Sequence, residues 1–120
     1  MRSNVSSNLS AADASVNQAG SAIPIQQVYA VSAQIVTTGT STGSLQLQVS
    51  NDLASACTTD SNGNLVPANW ANLGSAVTIS AAGVLAVAKT DVCHQFLRAV
   101  YTKNNGASGL ITVNLNTQGF

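Results

Sequence analysis

Residues able to do chemistry are few in this chain, and their spacing is unhelpful to each obvious reaction. There is one histidine, His94, and two cysteines, Cys57 and Cys93. Four aspartates (Asp13, Asp52, Asp60 and Asp91) supply every carboxylate side chain, since glutamate is absent. Nucleophilic catalysis needs a base beside a Ser or Cys and an acid that orients it. Cys93 adjoins His94 in sequence, but strand neighbours point to opposite faces. A carboxylate pair for glycoside chemistry would have to come from Asp52, Asp60 and Asp91, all in expected loops. The stretch Asp60-Ser61-Asn62-Gly63-Asn64 imitates the start of a calcium loop, yet that motif ends in a bidentate Glu. An Asn-Gly turn is the better reading. Two Cys and one His fall short of the four ligands of a structural zinc site. Gly39-Thr40-Ser41-Thr42-Gly43 lacks the lysine and following helix of a phosphate cradle, and reads as a turn. The expectation is a protein with no catalytic, metal-binding or cofactor-binding residues, and not an enzyme.

What the chain has instead is neutral polarity. Ser, Thr, Asn and Gln fill 46 of its 120 positions, against four basic residues and a net charge of zero. Nucleic-acid binding calls for clustered Lys and Arg, so no nucleic-acid partner is expected. Zero net charge also removes the repulsion that keeps freely diffusing proteins apart, which suits a chain packed against copies or partners. The apolar run 83–88 is too short to cross a bilayer, and residues 1–10 lack the apolar region of a leader, so no membrane role is expected. Cys57 and Cys93 could close one disulfide or remain thiols; reduced thiols are favoured without a leader.

The elements that would hold these residues are strands. Residues 1–22 form a polar arm with a capping-box pattern from Ser10 to Asp13 and a stop at Gly20, predicting an extended or short helical segment that orders on docking. From residue 23 to 120 the apolar period is two. Tyr29, Val31, Ala33 and Ile35 share one face, and Leu45, Leu47 and Val49 share another; these two runs are expected to pair as a hairpin. A small hairpin is expected from Cys57 to Val66 about its Asn-Gly turn. Trp70 should fold back over one end of the core. Val77 and Ile79 mark the next strand, and another runs from about Val84 to Ala88. Leu97, Ala99 and Tyr101, then Ile111, Val113 and Leu115, are expected to form a last hairpin about Asn105-Gly106. Seven or eight such strands predict an all-β fold, an antiparallel β-sandwich of jelly-roll or Ig-like topology. The outward Gln, Thr and Asn rows read as solvated faces, or as donors and acceptors for a partner's backbone or a sugar beside Trp70, Tyr29 or Tyr101.

In order along the chain, Tyr29-Ala30-Val31-Ser32-Ala33-Gln34, residues 43–52, Asn69-Trp70-Ala71-Asn72-Leu73-Gly74, residues 96–101 and Gly109-Leu110-Ile111-Thr112-Val113-Asn114 resemble small all-β virion structural proteins of tailed bacteriophages. The resemblance spans about residues 27 to 116 and consists of fold signatures without a catalytic motif. It implies a non-enzymatic capsid decoration (cement) protein that binds the major capsid protein or other virion proteins. A homodimer or homotrimer, located in virions assembled in the host cytoplasm, would follow. The alternative it leaves is a tail- or fibre-associated module that binds a receptor or carbohydrate.

Overall fold

The computed structural model describes residues 2–25, 28–90, 92 and 94–119. Strands dominate: β1 (Arg2–Asp13), β2 (Gln18–Ala19), β3 (Ile23–Pro24), β4 (Val28–Thr37), β5 (Gly43–Ser50), β6 (Thr58–Thr59), β7 (Leu65–Val66), β8 (Ala71–Asn72), β9 (Val77–Ile79), β10 (Gly83–Thr90), β11 (Phe96–Lys103) and β12 (Leu110–Gly119). One 3-10 turn, Ala54–Ala56, interrupts them. The all-β antiparallel class read from the period-two pattern therefore holds.

The strands form two principal sheets. One has the order β1-β12-β4-β10; the other runs β2-β11-β5-β8, with β3 added beside β11 and β9 beside β5. Inward rows from both sheets make a single apolar core, contributed by Val31, Ala33 and Ile35 of β4, Leu45, Leu47 and Val49 of β5, Leu97, Ala99 and Tyr101 of β11, and Ile111, Val113 and Leu115 of β12. Each of these triplets shares one face, as expected from alternation; that the Leu97, Ala99 and Tyr101 face of β11 is the inward one is shown by the structure.

The partners differ from expectation. β4 and β5 do not pair as a hairpin: β4 lies between β10 and β12, whereas β5 lies in the other sheet beside β11. Likewise β11 and β12 belong to different sheets. Alternation fixes which side of a strand is buried but is silent about its lateral neighbour. The connecting segments decide that, and both cross from one sheet to the other. They cross side by side, bridged at Thr40 and Ser108. Thr38 N donates to Leu110 O at 3.0 Å and Ser108 N to Thr40 O at 3.2 Å. The fully buried Ser41 donates through Oγ to Thr38 O at 2.6 Å and lies near Ser108 O and Leu110 O.

A simpler rule covers most of the pairing. Partners such as Arg2 with Gly119, Ile23 with Leu97, Thr37 with Gly83, Val49 with Ala71 and Thr58 with Val66 are all centred between positions 60 and 62, within the turn closed by Asp60 and Asn64. The chain is one long antiparallel hairpin with its tip at that turn, and the β12–β4 and β11–β5 ladders form as it wraps. The expected hairpin from Cys57 to Val66 is the tip itself.

Residues 2–22 are not helical. A helix of under three turns with Ala12, Val16 and Ala19 as its apolar stripe is marginal alone, and the ladder offered by β12 supplies a hydrogen-bonded alternative. β1 takes it from Arg2↔Gly119 to Asp13↔Leu110. Leu9 and Ala14 enter the core. Asp13 does cap a turn, its Oδ1 accepting from Ser15 N and Oγ, but the turn follows a strand. Gly20 serves as a close approach: Asn8 packs where its Cβ would lie. The boundary expected near Ala22 falls between β2 and β3, two pieces of the same sheet edge.

Gly109 has φ of +111°, and a Cβ there would overlap Thr38 O and crowd Ser41 Oγ. Gly63 also has positive φ, +83°, but open space around it. Gly63→Ala should therefore cost about 1–2 kcal/mol, the penalty of left-handed backbone alone, whereas Gly109→Ala should cost distinctly more by separating the crossings. Parallel urea denaturation of both variants measures this; equal losses would contradict the arrangement.

Candidate functional site

At the end of the core remote from those crossings, β5 runs out into a polar loop. Asp52 N donates to Ser50 Oγ at 3.1 Å, which turns the chain. Its carboxylate then accepts from Ala68 N at 2.8 Å, Asn69 N at 2.9 Å and Asn69 Nδ2 at 3.1 Å. This clasps residues 67–70 against the end of β5. Trp70 Nε1 donates to Pro67 O at 3.1 Å; the ring packs on Arg98 at the outer face of the second sheet and does not cap the end of the core as the sequence suggests. Asn51 Oδ1 accepts from Gln95 N at 3.0 Å and joins β11 to the same loop.

These residues border an open cleft of about 410 Å³, lined by Val49, Ser50, Asn51, Asp52, Asn69, Trp70, Ala71 and His94. His94 is half-buried, and its Nδ1 is buried without a hydrogen-bond partner. Asp52 shares the cleft with His94, but no hydrogen bond joins the two among the described residues. The carboxylate is instead committed to the 68–69 backbone. Hydrogen bonding from Asn69 N–H holds the Asp52 pKa below its ordinary value, with the Asn69 amide and Ala68 N–H adding to this against some desolvation.

Beside the cleft, the outer face of the second sheet carries a row that sequence reading missed. The Arg98 guanidinium stacks 4.3 Å above the Trp70 ring. Its Nε and Nη2 donate to Gln48 Oε1 at 2.9 and 2.8 Å, and Gln48 Nε2 donates to Asn72 Oδ1 at 3.2 Å. Arg98, Gln48 and Asn72 are register partners across three strands, so the row follows the ladder. Gln46 Nε2 donates to Leu47 O and Gly74 O. These outward amides fasten one strand to the next. The signal was the outward Arg98 opposite an outward Gln48, legible only once β11 and β5 are known to be neighbours.

Other expected positions fall elsewhere. Asp60 Oδ1 accepts from Asn62 N and Asn64 N, both at 2.9 Å, as a turn-forming Asx does. Tyr101 is fully buried, and its hydroxyl sits between Ala14 O at 3.0 Å and Thr42 O at 2.9 Å. It is therefore no surface platform for a sugar, a correction forced by its inward place on β11; burial also raises its pKa. Cys57 is a free, half-buried thiol near the hairpin tip. Cys93 and Asp91 lie outside the described residues. No described helix is long and apolar enough to cross a membrane.

Neither a family model nor a curated protein matches the chain in sequence. In fold it is similar to the crystal structure of the SPBc2 prophage-derived protein YomS, with a TM-score of 0.54 and 12% sequence identity over 98% of this chain and 95% of that one. The likeness is one of fold.

Because the Asp52 pKa is depressed on folding, its contribution to stability is present above the unfolded-state pKa and is lost as pH falls through the folded one. Acid titration followed by fluorescence of Trp70, the single tryptophan, should show a loop transition below the ordinary aspartate range. Asp52→Asn should abolish that transition. A titration unchanged in the variant would contradict the clasp.

Proposed function

We propose that this chain is a non-enzymatic structural protein of a phage particle, built as a jelly roll and attached to the capsid as a decoration protein. The jelly-roll reading is supported by strand order. If β2 with β3 and β8 with β9 each count as one edge strand and the β6–β7 hairpin at the tip is set aside, the eight remaining strands in chain order form sheets 1-8-3-6 and 2-7-4-5. That is the pattern of a long hairpin rolled into two Greek keys, an architecture that recurs in viral capsid and lectin domains. An Ig-like arrangement would not pair each strand with its mirror position in the chain.

The observation carrying the functional reading is the likeness to a prophage-derived protein over nearly the whole of both chains. It is supported by where the ionisable groups go: Asp13, Asp52 and Asp60 each organise a turn or loop through backbone N–H groups. The chain uses its chemistry to hold shape. A zero net charge fits close packing on a lattice, where the major capsid protein would be the partner and multivalent attachment would raise apparent affinity. Residues 2–13, part of the arm expected over residues 1–22 to order on docking, would act here as a sheet strand.

The Trp70 cleft favours a second reading, a receptor- or carbohydrate-binding module on a tail or fibre. One ring face of Trp70 is taken by Arg98, so binding would depend on Asn51, Asn69 and His94 at the rim.

Density-gradient fractionation of particles from a host expressing the chain tests the first reading. The protein should band with intact heads at a fixed ratio to the major capsid protein. Its confinement to the soluble fraction would refute a virion role. Banding with tails, together with glycan binding lost in Trp70→Ala, would favour the second reading.

A further inference from the structure

The two sheets present four edges, and three of them are blunted. β1 carries two register shifts, between Ser7 and Leu9 and between Leu9 and Ala12, with Ala11 at a φ of +46°. The Ala11 N–H is turned inward to Thr112 Oγ1 at 2.9 Å. β2 and β3 on one edge of the second sheet, and β8 and β9 on the other, are fragments of two or three residues. Bulges and very short strands are how soluble proteins prevent a sheet from growing.

β10 has neither device. All eight of its residues pair with β4 without a register shift, from Gly83↔Thr37 to Thr90↔Ala30. The strand therefore presents a straight outer ladder of backbone N–H and C=O groups. Its sequence, GVLAVAKT, is apolar apart from its C-terminal end. Val84 is 63% exposed on the outer face and Leu85 is exposed on the core side. The opposite flank of the core is stitched shut, because Asn8 receives Ala99 N through Oδ1 and donates to Ser21 O. On the β10 flank the Lys89 side chain lies over Gly74, spanning the gap between the sheets. Lys89, the one charge on β10, is an inward-pointing charge of the kind that can also guard an edge, but it spans the core mouth towards Gly74 and leaves the outer ladder uncovered.

We infer that β10 is the contact strand of a homodimer in which two copies pair their β10 strands antiparallel about a twofold axis at Ala86, joining two four-stranded sheets into one. The self-complementarity of the strand argues for a second copy over a foreign one. With the axis at Ala86, Val84 meets Ala88 of the other copy, Leu85 meets Val87 and Ala86 meets itself. Every pair except the terminal Gly83 with Lys89 is apolar, and each lies on a matching face. No like charges oppose each other. The chain's zero net charge leaves no long-range repulsion for the pairing to overcome. An isologous contact of this kind closes after two copies and leaves no further edge of the same type. The inference stands whether or not the chain resides in a phage particle.

Sedimentation equilibrium over a wide concentration range tests it with the full chain. The wild type should approach twice the 12.1 kDa chain mass as concentration rises. Val84 and Ala88 are both exposed on the outer face, so charges there are compatible with the folded monomer. The double variant Val84→Lys, Ala88→Lys would place like charges in opposition twice per dimer and should remain monomeric, as should Val84→Glu, Ala88→Glu. Mixing the two in equal amounts should restore the dimer, and raising salt should weaken the mixed species. Circular dichroism of each variant checks that the fold persists. A wild type that stays at the single-chain mass, a lysine variant that dimerises like the wild type, or a mixture that stays monomeric would each overturn the inference.

Discussion

The structure depends on two crossings held in contact. Segments 38–42 and 104–109 each carry the chain from one sheet to the other, and Ser41, buried between them, bonds to Thr38 O within its own crossing while lying against Ser108 O and Leu110 O of the other. Gly109 permits the approach, and Tyr101 secures it from within the core by reaching Ala14 O and Thr42 O. A buried carbonyl left without a donor costs about 1–3 kcal/mol, so these few polar atoms fix a geometry that apolar contact alone would leave free to slip. Once the crossings lie side by side, β4 can reach β12, β5 can reach β11, and β10 is left at a rim.

Alternation made the strands legible in the sequence. That the triplets of β4, β5, β11 and β12 each share a face follows directly from it, as does the turn at Asn62-Gly63; which face of β11 is inward does not. Lateral pairing was not legible, because a short connection rich in Gly, Ser and Thr serves a hairpin and a crossing equally well. The difference lies in the side chain of Ser41, whose burial no local pattern announces. β1 escaped for another reason. Its residues are small and polar, and they become a strand only because β12 is long enough to pair with them. Segments whose conformation is decided by a distant partner are poorly described by local propensity.

The polar residues around the cleft illustrate the same point. Asp52 and Asn69 are 17 positions apart, and Gln48 and Arg98 are 50 apart. Each pair is brought together by the rolled hairpin. Read singly, they resemble solvated surface residues; read through the ladder, they form a fastening of amides and carboxylates that replaces the larger apolar core the composition denies. Asp52, Asn69, Gln48 and Arg98 are thus drawn into the architecture, leaving the molecule's outward character to its edges and the tryptophan-lined cleft.

All of this follows from which strands are neighbours, and nuclear Overhauser contacts between cross-strand Hα protons read that directly. Such contacts should appear between β4 and β12, as at Ile35 with Val113, and between β5 and β11, as at Leu47 with Ala99. Contacts from β4 to β5, or from β11 to β12, in their place would mean simple hairpins, and would remove both the clamped crossings and the free β10 edge.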